Sequence, residues 1–280
     1  MATDLTSGDA TAREPEAAPP TESQPVDRPA GALPRTHRLR FGLLYGGLAV
    51  ILGLAVAGVA LYATDSINSG PAWSTWKPSG GGLGAAKQIV EHVAPGYRLP
   101  DGKQLVDVIP NGPVFVSGGQ KIPIPLVAVR GKQGVFRPDQ VERVGDGDTL
   151  TYSLCGLGDA CAIASGKPSV QRGTVVRREI IELALYTFKY VRGITRVVAF
   201  MPPPAGTQPT YVVYLRKDDL SEQLKHPLVQ TLDAKVPLPT QVTAKEQQQV
   251  DALTEPHTYK FGLSQTQQGE PVLVLDPLQA

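Results

Sequence analysis

Residues 169–193 read SVQRGTVVRREIIELALYTFKYVRG, and the class of the fold turns on this stretch. Val176, Ile180, Leu183, Ala184, Phe188 and Val191 recur at intervals of three and four, the wide apolar stripe of a helix with one face in a core. Ser169 is placed to cap its start, and Gly193 follows its end. On the polar side Arg178 and Glu182 are spaced as an i,i+4 ion pair. Upstream, TLTYSLC (149–155) alternates Leu150, Tyr152 and Leu154 on one side, as a strand does. Downstream, TRVVAFM (195–201) and TYVVYLRK (210–217) are two more strands, joined by PPPAGTQP. The order strand, long helix, strand, strand predicts a helix packed on a mixed sheet, an α+β fold.

The flanking chain extends this pattern. AAKQIVEHVA (85–94) carries Ile89, Val90 and Val93 at helical spacing and stops before Pro95. QLVDVIP, GPVFVSG and KIPIPLVAVR are short strands broken by Asn-Gly, Gly-Gly and Pro. Pro123 and Pro125 assign the third of them to a sheet edge, because proline cannot donate to a ladder. Past the last central strand, DDLSEQLKH and AKEQQQVDAL are polar helices, and YKFGL and PVLVL are strand candidates.

Composition narrows the classes open to the chain. Its 280 residues carry a formal net charge of +1, with 41% hydrophobic and 19% charged residues, 29 Gly and 26 Pro. So even a balance argues against a nucleic-acid binder, which needs a basic face or domain. The abundant Gly and Pro predict a folded part joined to irregular chain. Residues 1–34, rich in Ala, Pro, Thr and acids, are expected to form a disordered cytoplasmic tail. FGLLYGGLAVILGLAVAGVALYA (41–63) follows, twenty-three residues without a charge. That length is enough to cross a hydrocarbon layer of about 30 Å. It exceeds the 7–15 residues usual for the core of a cleaved signal peptide.

Residues 35–63 are therefore expected to be a basic flank and one transmembrane helix. Arg35, His37, Arg38 and Arg40 precede the span and Asp65 follows it, which orients the tail to the cytoplasm and exports the carboxyl-terminal part. The expected location is the cell membrane, single-pass, with the lipid bilayer as a partner. Gly42, Gly46, Ala49, Gly53 and Ala57 form a small-residue stripe suited to self-association or to a protein partner in the membrane. Residues 64–84 are expected to be a Gly/Pro-rich stalk, with GGGLG as linker and Trp73 and Trp76 docking on the exported domain, 85–280.

Cys155 and Cys161 are the only two cysteines. Outside the cell they are expected to pair, because nearby thiols there oxidise and Gly156 and Gly158 let the loop curl. A thioredoxin-like pair would be spaced C-x-x-C. A zinc site would need two further ligands at ligand spacing. Beyond the ring, Ser165, Gly166, Lys167 and Ser169 place hydroxyls, a flexible backbone and a cation at the start of the long helix, a candidate anion site. GDGD (145–148) is a turn first, lacking the further acids of a calcium loop. No G-x-S-x-G, H-E-x-x-H or phosphate-loop motif is present, and Ser165, Asp219 and His226 have no spacing that supports a triad. No catalytic residue, metal or cofactor is assigned.

WSTWKP, CGLGDACAIASGKPS, RREIIELALYTFKYV and YLRKDDL resemble a family of uncharacterised single-pass membrane proteins of high-GC Gram-positive bacteria, over residues 73 to about 220. The resemblance implies an architecture and a location without an activity. The sequence reading is thus a membrane-anchored exported domain acting as a non-enzymatic interaction or envelope-associated protein, with enzymatic activity left open. The alternative is an envelope enzyme or anion binder using residues 162–169.

Overall fold

The computed structural model describes residues 72–117, 119–131 and 141–278. Among the described residues ten strands lie in chain order: β1 Asp107–Asn111, β2 Val114–Ser117, β3 Gln120–Pro123, β4 Leu126–Val129, β5 Val141–Arg143, β6 Thr149–Cys155, β7 Arg196–Phe200, β8 Tyr211–Arg216, β9 Thr258–Gln265 and β10 Pro271–Pro277. The helices are α1 Gly82–Val93, α2 Val170–Tyr190, α3 Leu228–Thr231 and α4 Ala244–Thr254.

Eight strands form one sheet in the order β1-β6-β7-β8-β9-β10-β4-β5, and β2 and β3 form a separate hairpin. β6 and β7 run parallel, with α2 as the connection between them, and β4 runs parallel to β10. The other ladders of the large sheet are antiparallel. The sheet is therefore mixed and the class is α+β.

Both faces of the sheet centre are buried, which explains the unbroken apolar runs at 197–200 and 212–215. Val197, Ala199, Val213 and Leu215 point to a core shared with α1, α2 and Val250 of α4. Val198, Phe200, Val212 and Tyr214, one residue out of phase, point to a second core with Ile124, Val127, Leu273 and Leu275. Phe115 of the hairpin closes that side, its ring centroid 5.1 Å from Phe200 and 5.4 Å from Phe261.

The sheet coils around this second core. β5 is its last strand, yet Glu142 accepts from Nε of Arg196 on β7 at 2.8 Å and from the Tyr214 hydroxyl on β8 at 2.8 Å. Glu142 also pairs with Arg216. Burial opposes ionisation of Glu142, but hydrogen bonds from Arg196 and Tyr214 and the charge of Arg216 outweigh it and hold its carboxyl below the usual range.

Several expectations are corrected. Among the described residues no helix is long and apolar enough to cross a membrane. The longest, α2, carries Arg172, Arg177, Arg178, Glu179, Glu182 and Lys189 along its length. The single-pass anchor and the cell-membrane location are therefore not retained. The stretch 41–63, its stripe Gly42, Gly46, Ala49, Gly53 and Ala57, and the tail 1–34 lie outside the described residues. KIPIPLVAVR is not one edge strand. Its prolines end β3, and the chain changes sheets to enter β4, an interior strand between β10 and β5. GGGLG is not linker throughout, because α1 starts at Gly82 with Gly81 as its N-cap.

Because the Glu142 carboxyl ionises more readily folded than unfolded, its contribution is present above the ordinary carboxylate pKa of about 4.3 and lost on acidification below it. Glu142→Gln should lower the denaturation midpoint at pH 7 and flatten the loss of stability between pH 5 and pH 3, as followed by circular dichroism.

Candidate functional site

The two cysteines form a disulfide, Cys155 at the end of β6 to Cys161, with Cα atoms 4.4 Å apart. Inside the ring Gly156 N–H donates to the Cys161 carbonyl at 2.7 Å, and Gly158 N–H to the Ala162 carbonyl at 2.8 Å. Ala160 and Cys161 both take positive φ, 51° and 66°, which non-glycine residues rarely adopt. A Cβ on Gly156 would overlap the Ala162 carbonyl, so only glycine permits this approach. Disulfide and backbone together hold the ring at the exit of β6.

The candidate anion residues line one cleft, where their partners are protein groups. Ser169 caps α2, its hydroxyl accepting from Arg172 N–H at 3.1 Å. Ser165 donates to a carboxylate oxygen of Asp101 at 3.0 Å, and Arg172 donates to the Ser165 carbonyl at 2.8 Å. Gly166 takes φ +77° to turn the chain there, and Lys167 is exposed at the rim. With Leu99, Pro100 and Pro239 these residues line a shallow cleft of about 360 Å³. The Asp101 carboxylate occupies the Ser165 hydroxyl that an incoming anion would need.

The densest polar cluster lies one to three turns further along α2. Arg178 is 1% exposed. Its Nη1 donates to the Tyr97 hydroxyl at 2.5 Å and lies 3.3 Å from a Glu182 oxygen; its Nε donates to Glu246 of α4 at 2.8 Å; its Nη2 donates to the Asp233 carbonyl at 2.5 Å. Tyr97 in turn donates to Glu182 at 2.5 Å. Burial first, then the Glu182 charge, pushes the Tyr97 hydroxyl well above its ordinary range. One guanidinium thus joins the turn after α1, the helix α2, the loop after α3 and the helix α4. Beside it Arg177 bonds Asp251 of α4 at 2.5 Å.

Two of these partners, Asp233 and Glu246, also line a polar cleft of about 350 Å³ between α3 and α4, together with Val229, Gln230, Thr231 and Gln249. Gln249 donates to the Thr231 carbonyl at 2.5 Å across it.

The i,i+4 pair expected on the polar side forms, but with Arg178 buried and Glu182 half-buried. The signal was present: Val175, Ile181 and Leu185, all buried, interrupt the polar side of α2. Tyr97, Asp233 and Glu246 carried no local mark, since they meet Arg178 only in the folded chain. Trp73 is buried on α2, its ring 5.3 Å from Tyr186, and Trp76 stacks on His92 at 4.0 Å. The GDGD stretch is a turn in which Asp148 accepts from Gly145 N–H at 3.0 Å. Asp219 lies 3.5 Å from His257, not beside His226, and Ser165 is bound to Asp101. Among the described residues no group of three or more His, Cys, Asp or Glu is placed to hold a metal ion.

Reducing the disulfide should cost about 2 kcal/mol, the loop-entropy value for so small a ring, with the fold retained; urea denaturation with and without a phosphine reductant measures it. Arg178→Ala should cost about 3–5 kcal/mol, because it removes the buried cation of two ion pairs and leaves the half-buried carboxylates of Glu182 and Glu246 without it; the same denaturation curves report it. In comparisons with known proteins, no family model, no curated protein and no solved structure matches the chain.

Proposed function

We propose that residues 72–278 form a non-enzymatic interaction module that receives a protein partner in the cleft between α3 and α4. The observation that carries this reading is the chemistry of the cleft wall. Gln230 brings an amide that can both donate and accept, the Gln249 amide oxygen can accept while its N–H holds the Thr231 carbonyl, and the Thr243 hydroxyl, which accepts from Glu246 N–H, can still donate. Those are the groups that match the backbone of an extended peptide. Val229 stands 62% exposed at the cleft, an apolar grip of the sort that anchors a bound segment. The floor is held by the Arg178 cluster, so the wall is organised before a partner arrives, which reduces the entropy lost on binding.

The charged constellations elsewhere fit a supporting role. Arg178 spends its hydrogen bonds on four protein groups, and Glu142 joins Arg196, Arg216 and Tyr214. These are ties between elements, and they stiffen the walls of the binding surface.

Site-specific photo-crosslinking tests the reading. A photoreactive residue at Val229 should capture one reproducible protein in cells that make the full chain. The same residue at Leu263, exposed on β9 far along the sheet, should not. Equal capture at both positions, or none at Val229, would overturn the proposal.

A further inference from the structure

Glu179 has no exposed surface, and among the described residues neither of its carboxyl oxygens has a hydrogen-bond partner. It lies on α2 beside Arg178, whose guanidinium is directed to Tyr97, Glu182, Glu246 and the Asp233 carbonyl and not to Glu179. The charges around it do not help an anion. Glu182 stands one turn along α2, and its negative charge acts on Glu179. Tyr97, in the turn that leaves α1, is a titratable group on which the charge of Glu179 acts. From α4, Glu246 presents a carboxylate already paired with Arg178. The inward residues of α1 are Ala85, Ala86, Ile89 and Val93, which offer no hydrogen bond. An ionised carboxylate without hydrogen bonds in such a place is far costlier than the neutral acid.

We infer that the packing of the Tyr97 turn on α2 is a pH-sensitive lock, closed while Glu179 carries its proton and released when that carboxyl ionises. Burial first, then the Glu182 charge, pushes the Glu179 carboxyl well above the usual range. The folded chain therefore keeps a proton that the unfolded chain has already lost above about pH 4.3. Stability from this group is complete below that pH and falls as pH rises toward the folded value. The direction is opposite to that of Glu142, and the window lies on the other side of pH 4.3. On release, an ionised Glu179 competes for Arg178, the cation nearest in the chain, and so loosens the tie to Tyr97, Asp233 and Glu246.

The experiment compares the full chain with Glu179→Gln, which keeps the shape and cannot ionise, between pH 5.5 and pH 8.5. The ratio of the two proteins' unfolding constants, from urea denaturation, should change about tenfold per pH unit, the linkage slope of one proton. Glu179→Gln becomes the more stable protein at the alkaline end, and the histidines cancel in the ratio. Over the same range the exchange protection of the Tyr97, Leu99 and Leu105 amides, which close this turn, should fall in the wild type and not in the variant. If Glu179→Gln does not fold, Glu179→Leu serves in both measurements. A ratio independent of pH overturns the inference. A sloping ratio with unchanged protection at these three amides overturns the lock.

Discussion

The guanidinium of Arg178 is out of water, and the arrangement of the helical layer depends on what it holds. A buried cation is tolerated only when its donors are satisfied by groups that are themselves fixed. Those groups come from positions 97, 182, 233 and 246, so the ion cannot be satisfied until segments distant in sequence have assembled. Hydrophobic burial alone would let α4 slide over α2, since contact between apolar surfaces is not directional. The fan of directed bonds from one side chain selects a single placement. Arg177, with Asp251 at 2.5 Å, sets the same pair of helices from the next position.

The second constraint is the sheet, buried on both sides in its central strands. Because side chains alternate, adjacent residues of β7 and β8 serve separate cores, and a register slip of one residue would exchange them. The hairpin β2–β3 and the coiling of the sheet complete the core away from the helices. Glu142 marks how far the coiling goes, for it stands on the last strand and meets side chains of β7 and β8. The clipped ring at Cys155–Cys161 sits at the exit of β6, so the chain leaves the sheet toward α2 from a fixed point.

These ties bear on the proposed binding surface. The start of α2 has the residue types of an anion cradle, but Ser165, Ser169 and Arg172 are engaged with the protein itself. The cleft between α3 and α4 shares two residues with the Arg178 cluster. A change at that cluster therefore bears on two residues of the cleft wall, and in the proposed lock Glu179 is the buried group through which a proton acts.

Local pattern determined a good part of this molecule. The helix at 170–190, its Ser169 cap, the strands at 149–155, 196–200 and 211–216 and the mixed α+β class were readable because period and capping act within a few residues. The cysteine pairing was readable because the spacing lets a short loop curl. Other features were decided by tertiary structure. Whether KIPIPLVAVR is one strand or two depended on which strands were there to receive it, and β4 found β10 from the far end of the chain. Arg178 and Glu182 read as a surface pair, since a spacing of four shows that two charges are neighbours and not whether water surrounds them. Tyr97, Asp233 and Glu246 became its partners only through contacts at 81, 55 and 68 residues' separation, which no local pattern encodes. The burial of Glu179 is of the same kind: a carboxyl loses its water only when the far parts of the chain close over it.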